Sequence, residues 1–125
     1  MNTTEKKILV VEDERPMARA LELKLEGSGF TVDTVGDGEE AVERIINGNY
    51  DLVLLDIVIP KKDGFKVLKE IREKGSTTPI IITSNLSQEE DEKKALNLGA
   101  VGYIIKSNTP LVDVVSKVKI NLGIA

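Results

Sequence analysis

Leu52-Val53-Leu54-Leu55-Asp56 decides the fold: an unbroken aliphatic run closed by one carboxylate. A strand with one wet face alternates apolar and polar residues, whereas an unbroken run suits a central parallel strand covered on both faces. Working outward, two runs of the same kind appear, Ile8-Leu9-Val10-Val11 and, behind Pro79, Ile80-Ile81-Ile82. Phe30 to Val35 alternates instead, Phe30 and Val32 against Thr31 and Asp33, as an edge strand does. Val101-Gly102-Tyr103-Ile104-Ile105 reads as the fifth strand.

Helical patterns separate these runs. In residues 14–26, Met17, Leu21 and Leu25 fall one helical turn apart, Pro16 is tolerated in the first turn, and Gly27 and Gly29 end the segment. Asp37 with Glu40 three residues on makes a capping-box-like start for a helix with Ala41, Val42, Ile45 and Ile46 on one stripe. After a loop through Pro60 and Gly64, a third helix turns Phe65, Leu68 and Ile71 inward. Ser87 and Glu90 form a capping box for a fourth helix, which runs to about Leu98 with Gly99 at its end. Thr109 as N-cap and Pro110 behind it open a last helix with Leu111, Val115, Val118 and Leu122 inward. Val112, Val114, Ile120 and Ile124 include positions off that stripe. Strict βα alternation with right-handed crossovers gives an α/β, doubly wound parallel sheet of five strands and five helices, one domain over 1–125.

Composition narrows the chemistry. The 125 residues carry 17 Lys and Arg against 21 Asp and Glu, net charge −4, which argues against a direct nucleic-acid binder. No apolar run reaches the ~18 residues of a membrane span, and the first residues lack the apolar region of a secretion signal, so the chain reads as cytoplasmic. Cys, His and Trp are absent, which removes thiol chemistry, imidazole bases and the softer metal sites. What remains is Asp, Glu, Lys, Ser, Thr, Tyr, backbone and a hard cation.

In open α/β sheets the site lies outside the carboxyl ends of the strands. Strand 1 is followed by Glu12 and Asp13, strand 2 by Asp37 and strand 3 by Asp56; strand 4 ends at Thr83 with Ser84 next, and strand 5 leads to Lys106. Clustered carboxylates repel, and a divalent cation removes that penalty. All-oxygen ligands favour Mg²⁺, with Mn²⁺ second. Lys106 as a point charge, Thr83 as a hydroxyl donor and an Asp able to form an acyl phosphate suit a phosphoryl centre.

V-V-E-D-E at 10–14, L-L-D-I-V-I-P-K-K-D-G at 54–64, I-I-I-T-S at 80–84 and G-A-V-G-Y-I-I-K at 99–106 resemble the receiver domain of two-component response regulators, over residues 6–122. The resemblance implies a flavodoxin-like sheet of order 2-1-3-4-5. It implies that Asp56 accepts phosphate from a sensor histidine kinase or a phosphotransfer protein. Asp13, Asp56 and the backbone carbonyl of Val58 would ligate Mg²⁺, with Glu12 acting mainly through water. Lys106 would pair with the phosphoryl oxygens, Thr83 would swing toward them, and Tyr103 would move inward as the switch. Output would pass through the surface of helix 4, strand 5 and helix 5, to a downstream protein target or a homodimer. No output domain is expected after the last helix. The family usually has Pro after the Lys, where this chain has Ser107, so a trans bond and a different loop are expected. Val58, two residues after Asp56, cannot hydrogen-bond an attacking water, which points to a long-lived acyl phosphate.

Each site residue also has a plainer role. Asp13 would serve as a helix cap, Asp56 as a turn-former, Lys106 as a solvated charge, Thr83 as strand filler and Tyr103 as static packing. All must hold together for the site to vanish. An Asp-nucleophile phosphohydrolase resembling the haloacid dehalogenases needs a second Asp where Val58 stands. A nucleotide-binding domain needs a Gly-rich turn where Glu12-Asp13-Glu14 stands. A degenerate receiver would lack some of the five key side chains present here. The chain reads as a signalling switch and not an enzyme, catalysing only its own phosphorylation and dephosphorylation.

Overall fold

The computed structural model describes residues 6–86 and 88–124. Elements run β1 (Lys7–Val11), α1 (Arg15–Gly27), β2 (Thr31–Val35), α2 (Gly38–Asn47), β3 (Leu52–Asp56), α3 (Gly64–Glu73), β4 (Ile80–Ser84), α4 (Glu89–Asn97), β5 (Gly102–Ile105) and α5 (Leu111–Asn121). The strands form one parallel sheet in the order β2-β1-β3-β4-β5. The expected alternation and the edge position of β2 are both borne out. Among the described residues no helix is long and apolar enough to cross a membrane.

Alternate residues of the buried strands supply two cores. Leu9, Val11, Val53, Leu55, Ile80 and Ile82 face α2 and α3, while Ile8, Val10, Leu52, Leu54, Ile81 and Ile104 face α1 and α5. Wrapping both faces is what makes an unbroken aliphatic strand stable, because no residue of it need meet water.

Several local details depart from the expected ones. The cap of α5 is Pro110 and not Thr109, because a short 3-10 turn over Lys106–Asn108 uses up the chain just before it. That turn follows Lys106, and the Lys106–Ser107 peptide is trans. Val114 is buried in the α1–α5 core, while Val112 and Ile120 stay exposed; the helix is rotated so that Val114, Val115 and Val118 face inward. In α3 Val67 takes the deep position and Phe65 is half-buried, under the Lys94 ammonium 4.4 Å from its ring centre. β5 starts at Gly102, leaving Val101 exposed. Asp13 does not cap α1, whose N-cap is Glu14 with no side-chain hydrogen bond. Asp37 caps α2 as expected, accepting from the Glu40 N–H at 2.8 Å. Helix α4 begins at Glu89 behind Gln88, and the Ser87 half of its expected capping box lies outside the described residues.

Candidate functional site

β1 and β3 lie side by side with their crossovers on opposite faces, so a crevice opens beyond their carboxyl ends. Into it project the groups that follow these strands. Carboxylate oxygens of Glu12, Asp13 and Asp56 all lie within 4.8 Å of one another. Glu12 and Asp56 are buried, at 3% and 4% exposure, and Asp13 is exposed at the mouth. Lys106 Nζ donates to Glu12 Oε1 at 2.7 Å and to Asp56 Oδ2 at 3.0 Å. Two backbone amides complete the shell: Val58 N–H reaches Asp56 Oδ1 at 3.3 Å, and Glu14 N–H reaches Glu12 Oε2 at 3.1 Å.

The electrostatics are unbalanced. Burial and the neighbouring Glu12 push the Asp56 carboxyl up to about 6, against the pull of Lys106 and the Val58 N–H. Burial pulls Lys106 down, but its bonds to Glu12 and Asp56 outweigh that and hold it above its ordinary value. One ammonium therefore serves two buried carboxylates, with a third beside them. The donor set is all oxygen, partly wet at Asp13 and short of positive charge, which fits a small hard cation such as Mg²⁺.

A cavity of about 260 Å³ adjoins this cluster, lined by Asp13, Asp56, Val58, Ser84, Asn85 and Lys106 among others. Thr83 stands beside Asp56 in the β3–β4 register and is buried. Tyr103 lies on β5, in register with Ile82 of β4. Its hydroxyl donates to the Leu86 carbonyl at 2.8 Å, and Ser84 Oγ accepts from the Leu86 N–H at 2.9 Å. Burial pushes the Tyr103 phenol up, opposed by the nearby Ser84 hydroxyl. Ser84 is thus an anchor of the β4–α4 loop. A hydroxyl placed directly after Thr83 was the available signal, but its partner two residues on is set by the loop's path.

A family model described as the response regulator receiver domain matches residues 8–117. The chain belongs to the response regulator receiver family. This receiver domain is 48% identical over 100 residues to the transcriptional regulatory protein DltR of Streptococcus agalactiae, covering 80% of this chain and 45% of that protein. It is 39% identical over 117 residues to ResD of Bacillus subtilis, covering 94% of this chain and 48% of that one. The chain therefore spans about half the length of the curated relatives it matches. Among solved structures it is similar to the receiver domain of the Francisella response regulator 1452, at TM-score 0.90 and 30% identity, covering 94% of this chain and 97% of that one. The BeF3-activated N-terminal receiver domain of Klebsiella pneumoniae RstA matches at TM-score 0.86 and 30% identity, covering 94% and 98%. The chain is a two-component receiver, and DltR and ResD are both transcriptional regulatory proteins.

Proposed function

We propose that Asp56 is the phospho-acceptor of this receiver and that the phosphorylated form signals through the α4–β5–α5 surface. One observation carries the reading: a buried Asp56 carboxylate 3.0 Å from Lys106 Nζ, clustered with Glu12 and Asp13 and lining a cavity. Its oxygen attacks the phosphorus of a phosphohistidine on a sensor kinase or phosphotransfer protein. The P–N bond breaks, and its electron pair leaves with the imidazole.

Asp13, Asp56 and the Val58 backbone carbonyl would hold Mg²⁺, or Mn²⁺, with Glu12 acting mainly through water. When bound, the ion neutralises phosphoryl oxygens and lowers the cost of bringing them beside carboxylates. Lys106 supplies the second positive charge and orients the attacking carboxylate. Asp56 must be ionised to attack, and the Lys106 ammonium and Val58 N–H favour that form. Thr83 is the hydroxyl that turns toward the new phosphoryl group. Val58 is 66% exposed and apolar, so it offers no hydrogen bond to an attacking water, which supports a long-lived acyl phosphate. The receiver catalyses only this transfer and its own slow hydrolysis.

Switching is supported by how loosely α4 is held. Of its residues only Ala95 is buried, and its first turn carries Glu89, Glu90, Asp91 and Glu92. Tyr103 and Ser84 together grip both backbone groups of Leu86, so a shift at Thr83 is felt at the head of α4. Incubation with acetyl phosphate and Mg²⁺ tests the reading. The mass of one phosphate should appear on the wild type and not on Asp56→Asn, and labelling of both would sink it. Hydrogen exchange along α4 should change on phosphorylation; equal protection would remove the switching part.

A further inference from the structure

We propose that Gly38, at the head of α2, is a positioning residue for the β3–α3 loop. That loop carries Asp56 at its start and the Val58 carbonyl. The inference rests on the reading of those two groups as Mg²⁺ ligands.

The loop does not hold its shape by local preference alone. Lys61 has φ 71°, in the left-handed region that costs an L-residue about 1–2 kcal/mol, so contacts from outside must hold the conformation. Bonds within the β3–α3 unit supply part of this: Lys62 N–H donates to the Pro60 carbonyl at 2.8 Å and Gly64 N–H to the Ile57 carbonyl at 2.7 Å. β4 adds the Thr83 carbonyl, which accepts from the Ile57 N–H at 3.3 Å, and further support arrives from α2. Gly38 N–H, left over at the start of that helix, donates to the Pro60 carbonyl at 3.0 Å. Asp37, the cap of the same helix, faces Lys61 Nζ at 3.8 Å.

The contact is too close for a side chain. A methyl group built on Gly38 falls on the Lys62 carbonyl oxygen, 2.7 Å from Lys62 Cβ and 2.8 Å from its carbonyl carbon. Those atoms are backbone or next to it, so relief requires moving the loop. Gly38 has no positive φ, and Ala is the better helix former by about 1 kcal/mol, so nothing in α2 itself asks for glycine there. What asks for it is the loop lying against it. Two residues earlier, before the cap, Gly36 meets nothing within 4 Å and provides a local control.

Gly38→Ala should weaken Mg²⁺ binding by about tenfold, as loss of outer support typically does at a metal site. The dissociation constant is read from the amide shift of Val58 during titration with MgCl₂. In the metal-free variant the Lys62 and Gly64 amides should exchange faster, and saturating Mg²⁺ should restore most of the phosphorylation rate. Gly36→Ala should leave all three unchanged. If Gly38→Ala folds and binds Mg²⁺ within twofold of wild type, or Gly36→Ala weakens it equally, the proposal fails. A measurement on the wild type covers a variant that does not fold. Coupling is reciprocal, so the Gly38 amide should exchange several-fold more slowly with Mg²⁺ bound. Unaltered exchange there, while Val58 shifts, also overturns it. Should the wild type bind no Mg²⁺ at Asp13 and Asp56, it is the proposed function that falls.

Discussion

Two polar clusters sit at opposite ends of the same sheet and differ in how their charges are settled. At the amino edge, the Tyr50 hydroxyl donates to Asp33 at 2.8 Å and receives from Arg44 at 3.2 Å, with Lys7 Nζ 4.8 Å above the ring and 3.8 Å from Asp33. The Lys7 N–H donates to Asp51. The Asp33, Arg44 and Lys7 side chains are 38%, 44% and 41% exposed, so water shares the load and each charge has an opposite within reach. At the carboxyl edge, Glu12 and Asp56 are buried around one ammonium. The first cluster binds β2 to its neighbours. The second holds surplus negative charge out of water, and such a surplus is what a cation and a phosphoryl group can relieve.

Asp56→Asn breaks the contrast most sharply. Phosphate labelling should vanish, while unfolding free energy at pH 7 without metal rises by about 1–2 kcal/mol, since a charge held against burial is gone. Urea unfolding beside mass measurement checks both halves. Lys106→Met should slow labelling about 10²–10³-fold, and should lower stability at pH 7 by leaving two buried carboxylates unpaired.

The pH profile sharpens the comparison further. The folded pKa of Asp56, about 6, lies above its ordinary 3.8. The penalty from its ionised form is therefore full above pH 6 and is relieved as pH falls from 6 toward 4. In EDTA the wild type should gain stability from this group between pH 7 and pH 5, and Asp56→Asn should lose that slope. Labelling by acetyl phosphate at limiting Mg²⁺ should fall over the same window, because a protonated carboxyl does not attack. The smallest effect belongs to the amino edge: Tyr50→Phe should cost about 0.5–1 kcal/mol and leave labelling intact. A loss of labelling there would erase the distinction between the two ends.

Much of the fold was legible because its signals are local. Ile8 to Val11, Leu52 to Leu55 and Ile80 to Ile82 are short β-branched and aliphatic runs that suit covered strands, and the alternation at β2 marked its edge. The site was legible because strand ends in this architecture share one rim, so Glu12, Asp13, Asp56 and Lys106 could be gathered from three separate stretches. Other features needed three dimensions. Val114 faces inward because of how α5 sits against α1, which no stripe of six apolar residues in one helix reveals. The Ser84–Leu86–Tyr103 grip depends on a loop's path, and the need for Gly38 comes from a backbone atom of Lys62.

Alone, the order of residues determined where the strands lie, that both faces of the sheet are covered, and which chemical groups reach its carboxyl rim. Those outcomes follow from side-chain periodicity and from the sterics of short crossovers, which act over a few residues. Only the folded chain decided the state of Asp56, because that depends on water excluded by the core and on charges brought through space. Lys106, 50 residues away along the chain, stands 3.0 Å from it.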